Sequence, residues 1–226
     1  MVKAHTPATK SDKIRILLVD DHPIVRQGLG QLIAQEPDME VCGEAESAPE
    51  ALRAIANLKP TVAVVDISLK DSSGVELIKD VKVRYPALPV LVLSMHDESF
   101  YAERVLRAGA RGYVTKEEAS ETVLAAIRRV LRGEIYLSEK MASKMLSVFV
   151  GGPRQPVGSS MDLLSDRELE VFELIGRGLQ TREVAQKLHL SVKTIESHRA
   201  NIKRKLGLAN ATELMQRAIQ WVEVEK

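Results

Sequence analysis

Between residues 14 and 132, short runs of aliphatic and β-branched residues alternate with segments whose apolar positions recur every three to four residues. IRILLV, EVCGEA, VAVVD, VLVLS and GYVT read as strands. Helical patterns separate them, such as 23–35 with Val25, Leu29, Leu32 and Ile33 on one face. Another is 120–132 with Val123, Ile127, Val130 and Leu131. Pro23 stands where a first-turn proline is tolerated, and Ser47 followed by Glu50 has the spacing of a capping box. VAVVD and VLVLS are almost wholly apolar, which requires burial on both faces and therefore a parallel sheet. Strict alternation of this kind predicts an α/β, doubly wound domain with five parallel strands over 14–132.

The pattern changes after residue 132. A helix is expected near 138–149, and it leads into GGPRQPVGSS, whose Gly, Pro and Ser content reads as a flexible linker. Residues 133–160 are thus a connecting helix and linker. Residues 161–226 show no strand pattern and predict a small all-α domain of four helices. Ser165 and Glu168 form a second capping box before Leu169, Phe172 and Ile175, and Thr181 and Ser191 are candidate N-caps for the next two helices. The last helix, through Ala218, Ile219, Trp221 and Val222, either covers the helical core or forms a dimer face.

Composition narrows the class. With 45% hydrophobic and 28% charged residues among 226, the chain is an ordinary globular protein. No apolar run approaches the roughly 20 residues of a membrane span. The polar start, MVKAHTPATKSDK, lacks a signal-peptide core. Cys42 is the only cysteine, so no intramolecular disulfide can form, and it reads as a buried strand thiol. A cytoplasmic protein with no membrane partner is expected. The net charge of +1 conceals one local excess: within 187–205, Lys187, Lys193, Arg199, Lys203, Arg204 and Lys205 are opposed only by Glu196. Such a run is either a solvated helix face or a nucleic-acid surface.

The strand ends carry the chemistry. Asp20 and Asp21 close the first strand, Asp66 the third and Ser94 the fourth, while Lys116 follows the fifth. Residues at the carboxyl ends of parallel strands meet in one crevice, however far apart they lie along the chain. Taken singly, each aspartate is equally a strand end or helix cap. Together, three carboxylates need a cation to remain ionised, and oxygen ligands with open positions suit Mg²⁺.

With the Asp pair, Asp66, Gly74, Ser94, and Tyr113 three residues before Lys116, residues 14–132 resemble the receiver domain of two-component response regulators. The resemblance implies that Asp66 accepts a phosphoryl group from a sensor histidine kinase. It implies that Asp21, Asp66 and the backbone carbonyl of Ser68 hold Mg²⁺, that Asp20 reaches the ion through water, and that Lys116 stabilises the transferring oxygens. Ser94 would then bond the phosphate and Tyr113 would swing inward behind it. Tyr113 is otherwise an aromatic on an edge strand. Lys70 and Glu117 depart from a common proline at their positions, and Ser68 and His96 occupy positions that tune phosphate lifetime in this family.

The stretch from Leu164 to Leu208 carries Leu164-Ser165, Arg167-Glu168, Gly178, Glu183, Ala185, Leu188, Ser191, Thr194, His198, Lys205 and Leu206. It resembles the LuxR-type helix-turn-helix of the NarL/FixJ subfamily. Helix 181–188 would cross the DNA backbone and helix 191–206 would enter the major groove, with Val192, Ile195, Ile202 and Leu206 turned to the core. Lys193, Thr194, Arg199 and Lys203 suit phosphate or groove-edge contacts. Glu196, Ser197 and Ala200 fall where that family reads bases. His198 reads as packed or locally bonded, and Arg204 and Lys205 as solvated.

The expected function is phosphorylation-controlled binding of double-stranded DNA to regulate transcription, with homodimers on paired half-sites. A phosphohydrolase with an aspartyl intermediate is the enzymatic rival. It needs an acid two residues beyond the nucleophile, where Ser68 stands. A regulator working through protein contacts alone would have no need of the intact crevice.

Overall fold

The computed structural model describes residues 13–69, 72–118, 120–150 and 160–224. Lys70 and most of the expected linker, 151–159, lie outside the described residues. Contacts divide the chain into two compact units, Met1–Met95 with Val105–Tyr136, and His96–Arg104 with Leu137–Lys226.

Strands β1 (Ile14–Val19), β2 (Met39–Ala45) and β3 (Val62–Val65) are followed by a two-residue hairpin, β4 (Ser68–Leu69) and β5 (Ser72–Ser73). Strands β6 (Val90–Ser94) and β7 (Gly112–Thr115) complete the set. The expected five-stranded parallel sheet forms with the order β2-β1-β3-β6-β7. The order reverses at β1, so a crevice opens between the ends of β1 and β3, where Asp20 and Asp66 stand.

Successive strand residues point to opposite faces. On one face Ile16, Leu18, Val62, Val64, Leu91, Leu93 and Val114 form a core with Ile33 of α1 (Pro23–Ala34) and with Val123, Ala126, Ile127 and Val130 of α5 (Ser120–Leu131). The alternate residues Leu17, Val19, Ala63, Val65 and Val92, also buried, line the other face. Helices α2 (Ala48–Leu58) and α3 (Gly74–Arg84) pack there. Helix α4 (Glu98–Ala108) belongs to both units by sequence, and residues 96–104 pack in the second. Two details differ from expectation. Ser47 caps α2 by its backbone only, because Glu50 accepts from the N–H of Glu46 at 2.9 Å and not from that of Ser47. Cys42 is half-buried, since β2 is an edge strand covered on fewer sides than a central one.

The second unit holds α6 (Glu139–Val150), a 3-10 turn (Ser160–Leu163), α7 (Asp166–Gly176), α8 (Thr181–Lys187), α9 (Val192–Leu206) and α10 (Ala211–Val224). The capping box at Ser165 forms as expected, with Glu168 accepting from Ser165 N–H at 2.8 Å and Ser165 Oγ from Glu168 N–H at 3.3 Å. Ser191 caps α9 through the N–H of Thr194 at 3.0 Å. At α8 the cap is Gln180, and Thr181 is the first helical residue: the Glu183 carboxylate takes the Gln180 N–H at 2.7 Å, which draws the start one residue earlier. The helical core is Leu169, Phe172, Ile175, Val184, Ile195, Ile202, Leu214, Ala218 and Val222, all buried. The last helix therefore covers the core with one face. A Cβ on Gly176 would lie 2.4 Å from the Ala218 carbonyl oxygen, so glycine permits this close approach. Val192 is 40% exposed and not part of the core, because it sits at the first turn of α9, ahead of the stripe that Ile195 and Ile202 continue.

Lys205 is not simply solvated. Its Nζ lies 2.6 Å from the buried Glu168 carboxylate, tying the end of α9 to the start of α7. Burial raises the Glu168 value, but Lys205 and the Ser165 bonds outweigh it and hold the carboxyl below its usual range. A depressed acid stabilises the fold above its unfolded value and loses that contribution as pH falls through the folded one. In Lys205→Met the acid-unfolding transition of the helical unit should move to higher pH. Stability at pH 7 should fall by roughly 1–3 kcal/mol, the range for a buried polar group deprived of its partner. An unchanged acid transition, followed by circular dichroism, would show that the pair contributes nothing.

Candidate functional site: an acidic crevice and a basic helix

Asp20 follows β1, Asp66 follows β3, Ser94 ends β6 and Lys116 follows β7, so the sheet delivers all four to one edge. Backbone bonds fix the ends: Asp66 N–H donates to the Val19 carbonyl at 2.8 Å and Lys116 N–H to the Ser94 carbonyl at 2.8 Å. Asp20, Asp66 and Ser94 are buried. Lys116 Nζ lies 2.6 Å from Asp20 Oδ2 and 2.6 Å from Asp66 Oδ2, bridging the two carboxylates. Gly74, which opens α3, has a steric reason: a Cβ there would stand 2.0 Å from the Asp66 carbonyl oxygen.

The electrostatics follow from that crowding. Burial first, and then the charge of Asp20, push the Asp66 carboxyl above its usual range, while Lys116 and a bond from Ser94 pull the other way. Burial lowers the Lys116 value, but Asp66 and Asp20 raise it overall. Asp20, Asp21, His22 and Asp66 each present a ligand atom within 4.8 Å of the others. Asp21 Oδ1 is the one buried side-chain oxygen or nitrogen among the described residues found with no hydrogen bond. His22 Nδ1 stands 2.8 Å from it, outside hydrogen-bonding geometry, and 3.1 Å from Asp20 Oδ1. An orphaned carboxylate oxygen beside two further carboxylates fits a hard divalent cation.

Two residues at this edge were not anticipated. His22 joins the acidic group, and its N–H also donates to Asp20 Oδ1 at 2.8 Å. Arg26, buried on α1, donates through Nη1 to the Asp20 carbonyl at 2.6 Å. Its Nε reaches Glu44 at 2.9 Å and its Nη2 reaches Glu46 at 2.7 Å. Its spacing from Asp20 looks like one more exposed helix position, and only its two acidic partners on and beyond β2 reveal the anchor. Ser68 sits in the short hairpin, its N–H 3.4 Å from Asp66 Oδ1. Tyr113 is 1% exposed on the edge strand β7, so its side chain is already inward.

On α9, Lys193, Glu196, Ser197 and Ala200 are exposed and recur at helical spacing along one face. Thr194, Arg199 and Lys203 are half-buried beside them. Ser197 Oγ donates to the Lys193 carbonyl at 3.0 Å, and the Thr194 and Ser191 hydroxyls hydrogen-bond each other at 2.8 Å, so the Ser197 and Thr194 hydroxyls have local roles. His198 is half-buried, and burial lowers its value.

Comparison with known proteins assigns both halves. Residues 16–128 match the response regulator receiver domain, and residues 162–218 match the bacterial regulatory proteins of the luxR family. The oxygen regulatory protein NreC of Staphylococcus aureus (strain JH9) is 36% identical over 211 residues, covering 92% of this chain and 97% of that protein. A LuxR-family two-component response regulator from Aurantimonas sp. SI85-9A1 is similar with TM-score 0.57 and 36% identity, over 61% of this chain and 99% of that one. RcsB from Salmonella enterica serovar Typhimurium, bound to a promoter in the presence of phosphomimetic BeF3-, is similar with TM-score 0.59 and 28% identity. That match covers 91% of this chain and 98% of the other. With a receiver fold, a LuxR-type helical module and relatives matched along nearly their whole length, the chain belongs to the two-component response regulators of the NarL/FixJ type, DNA-binding regulators of transcription and not enzymes.

Proposed function

We propose that Asp66 is the phospho-acceptor of this regulator and that a sensor histidine kinase is the donor. The observation that carries this is the placement of Lys116 Nζ at 2.6 Å from both Asp20 and Asp66 in a buried crevice at the carboxyl edge of the sheet. An Asp66 carboxylate oxygen attacks phosphorus as the bond to the donor imidazole nitrogen breaks, and the electron pair of that bond leaves with the nitrogen. Lys116 stands where it can follow the negative charge from the carboxylate to the phosphoryl oxygens. Ser94, beside Asp66, is placed to hydrogen-bond the new phosphate. Tyr113 packs behind as the switch residue. Asp20, Asp21, Asp66 and the backbone carbonyl of Ser68 would hold Mg²⁺, which when bound neutralises charge on the phosphoryl oxygens.

In this reading 14–132 is the receiver domain, 133–160 the connection and 161–226 the DNA-binding domain. Helix α9 lies in the major groove of double-stranded DNA. Lys193, Thr194, Arg199 and Lys203 contact the backbone, and Glu196, Ser197 and Ala200 face the bases. Two copies bind paired half-sites when phosphorylated. Among the described residues no helix is long and apolar enough to cross a membrane, and a cytoplasmic place for the protein agrees with its reading as a DNA-binding regulator.

Incubation with a small phosphodonor and Mg²⁺ should add one phosphoryl mass to the protein. Asp66→Asn or a chelator should abolish the gain. Equal labelling of the variant would remove Asp66 from its role. For the helical domain, Lys203→Ala should weaken binding to all DNA sequences alike and reduce the salt slope by about one. Glu196→Ala should instead relax preference at one base position, a change worth about 1–3 kcal/mol of discrimination. A uniform loss from Glu196→Ala would place that residue outside the base-reading set.

A further inference from the structure

Within the second unit, residues 96–104 lie against buried carboxylates of α7. Arg104 Nη1 is 2.7 Å from Asp166 Oδ1 and 3.0 Å from the Leu164 carbonyl, while its Nη2 donates to the Met161 carbonyl at 3.0 Å. The Tyr101 hydroxyl donates to Glu173 Oε2 at 3.1 Å. The Phe100 ring meets Trp221 with centroids 4.4 Å apart. Between these contacts sits His96, with Nδ1 2.8 Å from Glu173 Oε2 and Nε2 3.3 Å from Glu170 Oε1. Glu170 and Glu173 are 3% and 1% exposed.

The decisive feature is that both ring nitrogens face carboxylate oxygens. A neutral imidazole has one N–H and one lone pair, so it would satisfy one glutamate and turn a lone pair on the other. Only the imidazolium donates to both. We propose that His96 is the ionic pin of a proton-linked latch, clasping Glu170 and Glu173 as an imidazolium and thereby holding residues 96–104 on α7. Its regulatory use rests on the reading of Ser94 as the phosphate contact. His96 follows Ser94 with only Met95 between them, so a shift of Ser94 toward phosphate pulls directly on the pin.

Several charged and titratable groups surround this cluster. Glu170 and Glu173 come from α7. Tyr101 comes from α4, with its ring centroid 4.6 Å from that of His96. Arg167 holds the outer oxygen of Glu170 at 2.5 Å and Arg177 that of Glu173 at 2.7 Å, which aims the inner oxygens at the imidazole. Arg104 and Asp166 form the separate pair described above. Burial works against a charged ring here. The bonds from Glu170 and Glu173 and their charges outweigh it, and the His96 value is pushed from 6.5 up to about 9. A raised histidine contributes fully below its unfolded value and is lost as pH rises through the folded one. The clasp's contribution to closure is therefore full below about pH 6.5, falls about tenfold per pH unit above that, and is lost by about pH 9.

The chain contains one tryptophan, Trp221, in contact with Phe100, so its emission reports the latch without DNA or phosphodonor. In the full-length, unphosphorylated protein, acrylamide quenching of Trp221 should rise in a one-proton transition centred near pH 9. In His96→Gln, which keeps a polar contact without the charge, quenching should be high already at pH 7 and flat through that range. Glu173→Gln, which removes one clasping charge, should move the transition to lower pH. Phe100→Leu should change the emission at pH 7. No change there would show that residues 96–104 do not pack on Trp221, and would overturn the latch. A transition in His96→Gln equal to the parent's, or a flat parent, would overturn the pin. A protein that shows the transition but accepts no phosphoryl group would overturn the proposed function and leave the latch standing.

Discussion

The receiver half depends on one ammonium group. Lys116 bridges Asp20 and Asp66 in a crevice from which water is largely excluded, and without it two buried carboxylates would face each other unscreened. Removing one partner of such a buried set typically costs about 3–5 kcal/mol. The sheet order exists, in functional terms, to make that bridge: β1 and β3 are neighbours, and β7 brings Lys116 back across β6 to the same edge. Arg26 completes the arrangement from outside by anchoring the Asp20 carbonyl, and Gly74 by leaving room for the Asp66 carbonyl.

That bridge also explains why the crevice suits signalling better than turnover. On the proposed function, a lysine shared between two carboxylates is held for charge that comes and goes at Asp66. The residue two places beyond Asp66, where a hydrolase would place its acid, is Ser68, in a two-residue strand with no ionisable group to offer. The second unit uses the same currency. Lys205 with Glu168, Arg104 with Asp166, and His96 with Glu170 and Glu173 all set cations against buried carboxylates of α7. A helix rich in buried acids holds these contacts only while each acid keeps its partner.

Much of this was legible in the residues themselves. The five strands announced themselves because buried parallel strands must be continuously apolar, and Asp20, Asp66, Ser94 and Lys116 stood out because strand ends share an edge. The caps at Ser165 and Ser191 followed from spacing alone. What escaped was pairing at long range. His96 meets partners 74 and 77 residues away, and Arg26 meets partners 18 and 20 away. Periodicity says which face of a helix is apolar but not which distant carboxylate a histidine will meet. The same limit applies to Lys205, which read as solvent-facing until α7 placed Glu168 beside it. At the small scale, Thr181 yielded the cap to Gln180 and Ser47 lost Glu50 to Glu46, because a glutamate reaches whichever backbone N–H the local turn presents.

In the proposed function, charge arriving at Asp66 governs DNA binding by the helical domain. The direct measurement is the affinity of the full-length protein for a DNA site selected from a random pool, with and without phosphorylation, beside residues 161–226 alone at matched concentration. The unphosphorylated chain should bind weakly, with tighter binding or dimerisation after phosphorylation. The isolated helical domain should bind at low salt without needing either. If phosphorylation left both affinity and oligomeric state unchanged, the coupling between crevice and helix would be contradicted.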